Sequence, residues 1–327
     1  MTDVLSQDQI IPQYDNNHYA VVDLGSNSFH LLITRLTNSS NNPTLITANK
    51  VKQKVRLAAG LDTDLNLTDE AITRGLNCLK LFAKHLATIP AENIIIVATA
   101  ALRIAKNNDI FFQSANDILP KSIKLLSGEQ EASTIYAGVA HSSVQATQVV
   151  SNKQLVIDIG GASTEIIVGE GNKAKKLVSL DIGCVSFLGK YFAENRLTQE
   201  NFANCIAAAT QAIDSVSADF IQLGWHSAVG SSGTMQAMVE ILSERNEAKV
   251  MTLDFLNDVQ QLLINSQSIE HIDIAGLRED RKAVLASGLS ILIALFTSLQ
   301  IKEMRLSSGA LREGLLFELL PEADIKL

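Results

Sequence analysis

Two apolar segments of the chain carry the same polar interruption. VVDLGSNSFHLLI begins at Val21 and VIDIGGASTEIIV begins at Val156, and the two align without a gap. Each consists of an apolar run, a short turn rich in glycine and serine, and a second apolar run, which predicts a β-hairpin. Because the same unit occurs twice and far apart, the pattern indicates two related domains that each open on this hairpin.

The chain between the two hairpins alternates between helical and strand-like patterns. TDEAITRGLNCLKLFAKHL spaces its apolar residues near a helical period, and Thr68 stands at the position of an N-cap. NIIIVATA follows as a predicted buried strand, and ALRIAKNN then turns into a helix. This alternation favours an α/β fold with a sheet in each half.

Turns of small residues also precede helical segments in the second half. HSAVGSSGTMQAMVEIL passes from a strand through residues 230–234 into an amphipathic helix, and MRLSSGALREGLLFELL repeats this plan through residues 307–309. Such turns place backbone N–H groups at a helix N-terminus, where the helix dipole favours an anion. These segments therefore predict anion-binding turns.

The longest apolar window and the most polar internal segment mark the organisation of the chain. Residues 284–299 are fewer than the ~20 that a membrane span needs, so we expect a buried core helix there. The polar segment 141–154 is the best boundary, with a hinge a few residues earlier as the alternative. The predicted organisation is a loose tail (1–18), an N-terminal domain (19–140) and a C-terminal domain (141–327).

Composition and charge narrow the functional classes. The 327 residues, 46% of them hydrophobic, suit two cores, and the net charge of −8 argues against non-specific binding of nucleic acid. The three cysteines form no C-x-x-C, so neither a disulfide framework nor a zinc site is indicated, and a reducing cytoplasm fits best. The N-terminus lacks the basic and apolar regions of a signal peptide.

The two hairpins carry carboxylates at equivalent positions. Asp23 and Asp158 end the first strand of each hairpin, and His30 aligns with Glu165 in the second strand. Mg²⁺ prefers oxygen ligands and keeps several waters, so Asp23, Asp158 and Glu165 are candidate metal ligands. Ordinary turn chemistry is the alternative for a single hairpin, and the second copy argues against it. The first loop is predicted to cradle phosphate and the second to face the metal.

Hydrolysis of a phosphate ester or anhydride also needs a base and cations. Glu131, in the segment LLSGEQEASTIYAGVAH, is the candidate base, with an exposed helix residue as the alternative. Arg103 follows a predicted strand, and Arg281 precedes the apolar helix. In residues 50–56, Lys and Arg alternate with other residues, which lines one strand face with positive charge. This face either guides a polyphosphate or is only solvated.

Together, these motifs resemble the exopolyphosphatase and guanosine pentaphosphate phosphohydrolase (Ppx/GppA) family of the actin-like ATPase superfamily. The resemblance runs from about Tyr19 to Leu320 and is carried by VVDLGSNSFHLL, KVRLAAGL, ATAALR, SGEQEA, IDIGGASTE, GCVSF, GSSGT and GALREGLL. KVRLAAGL, VATAALR, GVAH and GGASTE look closer to the guanosine pentaphosphate branch. The resemblance implies two ribonuclease-H-like domains, each a mixed sheet flanked by helices, with a cleft between them.

The resemblance also implies an activity and a set of site residues. The expected reaction releases terminal orthophosphate from inorganic polyphosphate, guanosine pentaphosphate or both, with water as nucleophile and Mg²⁺ or another divalent cation as cofactor. Glu131 matches the catalytic glutamate, and Asp158 and Glu165 match acidic site residues. The phosphate-binding positions implied by the motifs are Ser26, Asn27, Ser28, Arg103, Gly160, Gly161, Ala162, Ser163, Thr164, Gly230, Ser231, Ser232, Gly233, Thr234 and Arg281. Residues 230–234 either bind phosphate or only close the cleft wall.

The chain departs from the family pattern at three points. Gln130 stands where many members have a second glutamate, and Ala162 replaces a third glycine. The sequence ends where long members continue into helical domains, so a short two-domain form is expected, without the extension thought to aid processive holding of polyphosphate. A cytoplasmic protein is expected, with no membrane or nucleic-acid partner, and the resemblance allows a homodimer. An ATPase or kinase of the same superfamily and a non-catalytic sensor of alarmone nucleotides stay open as alternatives.

Overall fold

The computed structural model describes residues 12–39, 42–144, 153–321 and 324–326, and their strands form two mixed sheets. The strands of the first sheet are β1 (His18–Leu24), β2 (Ser28–Ser39), β3 (Asn42–Lys54), β4 (Ile94–Ala98), β5 (Lys124–Leu125) and β11 (Asp324–Lys326). Those of the second sheet are β6 (Lys153–Ile159), β7 (Thr164–Glu170), β8 (Lys173–Leu180), β9 (Ser227–Ser231) and β10 (Arg305–Leu306).

The two sheets share one topology. The first has the order β11-β3-β2-β1-β4-β5, and the second has the order β8-β7-β6-β9-β10. In both, the first three strands along the chain are antiparallel neighbours and the next two run parallel to the first. Strand β11 is an addition, because it lies parallel to β3 at the edge of the first sheet. The α/β fold with a mixed sheet in each half is confirmed.

Both predicted hairpins form, and their registers are equivalent. In β1 and β2, Asp23 lies opposite His30, whereas in β6 and β7, Asp158 lies opposite Glu165. The gap-free alignment of the sequence therefore reflects the same turn geometry in both sheets. This register places one carboxylate of each hairpin at the end of the central strand of its sheet, next to the connecting loop.

Ten helices among the described residues pack on these sheets. They are α1 (Asp69–Leu86), α2 (Ala100–Ile104), α3 (Asn108–Asn116), α4 (Gly128–Val144), α5 (Cys184–Tyr191), α6 (Gln199–Leu223), α7 (Ser232–Glu244), α8 (Leu253–Ser266), α9 (Glu279–Ser298) and α10 (Leu311–Leu319). Helices α1 to α3 share a core with one face of the first sheet, and α5 to α9 share a larger core with the second. Burial of their apolar side chains is the main stabilising contribution.

A third core joins the two sheets through α4 and α10. It contains Val21 and Val97 of the first sheet, Val156 and Ile167 of the second, and side chains of both helices. Helix α4 packs on β7 and β8 of the second sheet, although it precedes that sheet in the chain, and α10 packs on β1 and β4 of the first sheet. Each half of the chain therefore contributes a helix to the other half, which fixes the sheets relative to each other.

Glycines allow α4 and α10 to cross closely. A β-carbon at Gly138 of α4 would overlap the carbonyl oxygen of Ala310, and one at Gly314 of α10 would overlap the carbonyl oxygen of Thr134. Only glycine therefore fits at these positions with the two backbones so close. This crossing holds the N-terminus of α10 beside the turn of each hairpin.

Residues 284–298 of the apolar window lie in helix α9, as expected. This helix is the only one among the described residues that is long and apolar enough to cross a membrane, and 67% of its apolar window is buried inside the protein. Its side chains between Leu285 and Phe296 belong to the core of the second sheet. The observed burial agrees with a core helix.

The predicted boundary and tail are only partly within the described residues. Residues 1–11 of the predicted tail and residues 145–152 of the predicted boundary lie outside them. Within residues 12–18 the chain is held in place, because Tyr14 is buried and its amide donates to Thr88 Oγ1 at 2.9 Å. Tyr14 thus packs in the core that the first sheet shares with helices α1 to α3.

The N-cap of α1 offers a first test of the fold. The side chain of Thr68 accepts a hydrogen bond from the amide of Ala71 at 3.3 Å. We expect Thr68→Ala to lower the free energy of unfolding by about 1 kcal/mol, because one amide of the first turn loses its partner. Urea unfolding measures this loss. The control is Thr73→Ala on the exposed surface of the same helix, which should leave stability unchanged or slightly raised; equal losses would contradict the cap.

Candidate active site

The two hairpin loops open into one cleft between the sheets. The cleft has a volume of about 530 Å³ and receives residues from both hairpins, from α4, from the N-termini of α7 and α9, and from the turn before α10. The central strands β1 and β6 point their loops into it. Ligands of open α/β sheets bind at such strand ends, so this cleft is the candidate active site.

The loops of the two hairpins touch each other. A β-carbon at Gly161 would lie 2.8 Å from Ser26 Cβ and 3.2 Å from the amide nitrogen of Asn27, so this contact requires glycine. The amides of Asn27, Gly161 and Ala162 donate no hydrogen bond to another described residue. Backbone N–H groups that converge in this way form an anion-binding concavity.

Four carboxylates lie at the floor of the cleft. Glu131 and Glu165 are buried, whereas Asp23 and Asp158 keep a small exposed fraction where they face the cleft. Burial raises the pKa of Asp23 to about 6, and repulsion from Asp158 acts in the same direction. Burial likewise raises the pKa of Asp158, and it raises that of Glu165 well above its usual value. Ionisation of these acids is therefore disfavoured unless a positive charge lies beside them.

Glu131 is held by an arginine from the first half. Arg103 Nη1 donates to Glu131 Oε2 at 2.9 Å and to the carbonyl of Leu126 at the same distance. The pKa of Glu131 is raised to about 7, mainly by burial and also by repulsion from Asp23 and Asp158, against the opposing effect of Arg103. A carboxylate with a pKa near neutrality is suited to take a proton from water.

Hydroxyl groups orient two of the other acids. Ser231 Oγ donates to Asp158 Oδ2 at 2.6 Å, and Ser179 Oγ donates to Glu165 Oε1 at 2.7 Å. These bonds orient the carboxylates of the second hairpin. His30, at the position equivalent to Glu165, contributes no negative charge, and burial lowers its pKa to about 3.

The donor set suits a divalent cation only together with a ligand. No three carboxylates, histidines or cysteines within the described ranges are close enough to hold a metal ion by themselves. Mg²⁺ usually takes one or two protein carboxylates and completes its shell with water and substrate phosphates. Asp23, Asp158 and Glu165 therefore stay the predicted ligands, of which one or two would hold the ion together with substrate oxygens and water.

Most of the residues predicted for phosphate binding line the cleft. These are Ser26, Asn27, Ser28, Gly160, Gly161, Ser163, Ser231, Ser232, Gly233, Thr234 and Arg281. Four others do not line it. Arg103 contacts Glu131, Thr164 donates to the carbonyl of Ile182, Ala162 is buried, and Gly230 packs against two methionines.

The turn before α7 and Arg281 form one wall of the cleft. Arg281 donates through Nη1 to the carbonyl of Gly233 and through Nη2 to Glu240 Oε1, at 3.3 Å in the second case. Glu240 thus compensates much of the charge of Arg281. The hydroxyl of Ser232 is buried and has no hydrogen-bond partner among the described residues.

The cleft also contains charged residues that the sequence did not single out as site residues. Arg312, at the start of α10, has its Nη1 3.5 Å from His30 Nδ1, and its charge partly opposes the rise in the pKa of Asp158. Arg278 and Asp280 lie at the mouth. The motif GALREG contained Arg312, but only the packing of α10 on the first sheet brings it to the cleft.

Comparison with known proteins identifies the family. Residues 33–323 match the model of the Ppx/GppA phosphatase family. A guanosine-5'-triphosphate,3'-diphosphate pyrophosphatase from Pseudoalteromonas translucida is 49% identical over 314 residues, covering 96% of this chain and 61% of the relative. The chain belongs to the Ppx/GppA phosphatase family. One from Vibrio cholerae is 49% identical over 304 residues, with coverages of 93% and 59%. The chain spans about 60% of the length of the curated relatives it matches.

Solved structures of Ppx/GppA proteins share the fold. An exopolyphosphatase from Cytophaga hutchinsonii superimposes with a TM-score of 0.80 at 23% identity, covering 94% of this chain and 99% of that one. The Ppx/GppA family member from Aquifex aeolicus gives a TM-score of 0.72 at 22% identity, with coverages of 93% and 98%. The family resemblance inferred from the motifs is confirmed, and the solved structures share the fold of two mixed sheets flanked by helices.

The structure explains one departure from the Ppx/GppA pattern. The side chain of Gln130 accepts from the amide of Ser127 at 2.9 Å, and Ser127 Oγ accepts from the amide of Gln130 at 3.1 Å. This is a capping box at the start of α4, in which glutamate and glutamine serve equally. Gln130 is exposed and absent from the cleft lining, so its side chain caps α4 and does not contribute to the cleft.

Proposed function

We propose that this Ppx/GppA protein hydrolyses the terminal phosphoanhydride of guanosine pentaphosphate, of inorganic polyphosphate, or of both. The observation that carries the proposal is the position of Glu131, a buried carboxylate with a pKa of about 7 in the same cleft as two touching phosphate-type loops. The names of the relatives and of the structural neighbours agree with this reaction class.

The reaction follows from this arrangement. The amides of the two loops hold the terminal phosphate, and Arg103 keeps the carboxylate of Glu131 in place. A water molecule attacks the terminal phosphorus, the bond from that phosphorus to the bridging oxygen breaks, and Glu131 takes the proton of the water. The products are orthophosphate and a substrate shortened by one phosphate. Positioning and charge neutralisation supply most of the rate enhancement of phosphoryl transfer.

A divalent cation is part of the proposal. One or two of Asp23, Asp158 and Glu165 would hold Mg²⁺ together with substrate oxygens and water, and the ion would neutralise charge on the phosphate oxygens. The fit rests on the chemistry of these residues, since three acids with raised pKa values require positive charge in the floor of the cleft. Arg312 supplies part of it.

Release of orthophosphate tests the proposed function. Guanosine pentaphosphate, long polyphosphate and ATP with a sugar acceptor are offered side by side at one Mg²⁺ concentration and again with EDTA. We expect release from one or both of the first two substrates, lost with EDTA. Transfer to the sugar would instead support a kinase, and tight binding of the guanosine nucleotides without turnover would support a sensor. Either result would overturn the hydrolase assignment.

The wider organisation belongs to the same proposal. We infer a cytoplasmic protein of two domains that meet near residue 141, joined by the exchange of α4 and α10 and by strand β11. Neither a membrane nor a nucleic acid is required by the proposed reaction, and a homodimer is compatible with it. Gel filtration with light scattering measures the oligomeric state.

A further inference from the structure

Two motifs of the chain take no direct part in the proposed reaction. KVRLAAGL spans residues 54–61 and GCVSF spans residues 183–187. The first contains a single 3₁₀ turn (Ala58–Gly60), and the second contains the start of α5. Apart from Lys54 and Cys184, their residues do not line the cleft. Both motifs instead contact the hairpin loops from behind.

The amides of the first motif donate to the carbonyls of the first loop. The amide of Ala58 donates to the carbonyl of Ser26 at 2.9 Å. The amides of Val55 and Arg56 both donate to the carbonyl of Asn27, at 3.2 and 2.8 Å. Arg56 has a left-handed backbone at this convergence, with a φ of 55°. Three hydrogen bonds thus hold the first loop from outside the cleft.

The amides of the second motif hold the second loop in the same way. The amide of Cys184 donates to the carbonyl of Gly160 at 3.0 Å. The amides of Val185 and Ser186 both donate to the carbonyl of Gly161, at 2.8 and 3.1 Å. An α-helix leaves the amides of its first turn without partners inside the helix, and here the loop carbonyls satisfy them. The positive end of the α5 dipole therefore lies behind the second loop.

Each carbonyl held from behind turns the next amide to the opposite side. In a planar trans peptide, the C=O and N–H groups point in opposite directions. The carbonyls held in this way include those of Ser26, Gly160 and Gly161. The amides that follow them in the chain are those of Asn27, Gly161 and Ala162, which donate no hydrogen bond to another described residue. The two motifs therefore orient the amides that hold the terminal phosphate in the proposed reaction.

The two loops differ in the source of positive charge behind them. The 3₁₀ turn of the first motif is too short to supply a helix dipole. Arg74 of α1 instead donates through Nε to the carbonyl of Val55 at 3.0 Å, and its Nη2 lies 3.5 Å from the carbonyl of Arg56. The carbonyl of Val55 and the amide of Arg56 belong to one peptide, so Arg74 polarises the unit that donates to Asn27. Arg74 itself is absent from the cleft lining.

The first motif is fixed to α1 at further points. A β-carbon at Gly60 would overlap that of Ala71 in α1, so only glycine fits there. The carbonyl of Gly60 accepts from the amide of Thr68, the N-cap of α1, at 2.9 Å. Ala58 packs against the cores of both sheets, and the 3₁₀ turn contacts α5. Loss of the exposed side chain of Arg74 would leave this packing in place.

We propose that Arg74 is a positioning residue for the first phosphate loop, which it orients and polarises through the peptide of Val55 and Arg56 without touching the substrate. The inference rests on the proposed function and extends it to a residue outside the cleft. The loop amides hold the terminal phosphate, which all substrates of the proposed reaction share. Arg74 therefore affects these substrates equally.

Two substitutions of Arg74 test this role by kinetics. We expect Arg74→Gln to lower kcat/KM about 5- to 20-fold, because the charge behind the loop is lost. The factor should agree within about twofold for guanosine pentaphosphate, long polyphosphate and tripolyphosphate. Arg74→Lys keeps a charge beside the same carbonyl and should retain kcat/KM within about threefold of wild type. Lys80→Gln, exposed on the same helix, is the charge control and should match the wild type.

Urea unfolding separates positioning from a purely structural role. If Arg74 only stabilised the fold, Arg74→Gln would lower the urea midpoint and leave kcat/KM without urea unchanged, which would overturn the proposal. Losses of kcat/KM that differ among the three substrates would mean that Arg74 acts on another part of the substrate. That result would overturn the proposal as well.

Equilibrium binding separates this inference from the proposed function. The dissociation constant of tripolyphosphate with Mg²⁺ is measured by calorimetry in Glu131→Gln, which limits turnover, with and without Arg74→Gln. Binding weakened about threefold or more by Arg74→Gln supports the positioning role even if the wild type hydrolyses no substrate. Absence of hydrolysis would overturn only the hydrolase assignment. Equal binding, together with unchanged kcat/KM in an active enzyme, would overturn only the role of Arg74.

Discussion

Glu131→Gln is expected to lower kcat for phosphate release by roughly 10²–10⁴-fold. The amide keeps the size of the side chain and an oxygen that can accept from Arg103, so the helix end and the cleft should keep their shape. It cannot take a proton from water. Because the loss is confined to the chemical step, KM should change little. Stopped assays of orthophosphate with saturating substrate measure kcat directly.

The control for this substitution is Glu129→Gln on the same helix. Glu129 is exposed, absent from the cleft lining and two residues away, so its variant should retain wild-type kcat. In the wild type, kcat/KM should rise with pH through about 7, since Glu131 acts only after it has lost its proton. Activity of Glu131→Gln within a few-fold of wild type would show that another group activates the water.

The hairpins and the residues on them could be predicted because their signals are local. Each hairpin signal lies within thirteen positions: a strand that ends in a carboxylate, a turn of small residues and a second strand. Because the signal occurs twice, the two copies could be aligned with each other. Asp23 and Asp158 consequently appear where the alignment placed them, opposite His30 and Glu165. Helix α1 and its cap were predictable for the same reason.

The composition of the cleft wall could not be predicted, because it depends on contacts between distant segments. Lys54 and Asp280 are separated by 226 positions, and Arg312 and His30 by 282. The alternating charges of residues 50–56 left two interpretations open. In the structure, Lys52 and Lys54 line the cleft, whereas Lys50 and Arg56 do not.

The burial of Glu131 could not be predicted from the sequence either. A glutamate in the first turn of a helix is usually exposed, and Glu129 follows that rule. Glu131 is buried because α4 lies between the sheets, packed on the second sheet and crossed by α10 at glycines. The exchange of these two helices places an acid of the first half beside the acids of the second.

Asp23→Asn is expected to stabilise the metal-free protein at pH 8 while it abolishes most of the activity. The pKa of Asp23 is raised from 3.8 to about 6 in the folded protein, so the folded state binds the proton more tightly than the unfolded state. The contribution of Asp23 to the free energy of unfolding is fully present below about pH 4, and it is lost as the pH rises through 6. At pH 8 the variant should therefore gain on the order of 1–3 kcal/mol in the free energy of unfolding.

Urea unfolding in EDTA at pH 4.5 and pH 8 measures this difference. The gain of Asp23→Asn should be largest at pH 8 and small at pH 4.5, whereas Asp64→Asn, at an exposed loop residue, should show no such dependence. Mg²⁺ should then stabilise the wild type more at pH 8 than at pH 4.5, and the variant less than the wild type. A gain independent of pH would mean that ionised Asp23 costs the fold nothing. Ionised Asp23 thus lowers the stability of the metal-free protein and, in the proposed reaction, attracts the cation that accompanies the substrate.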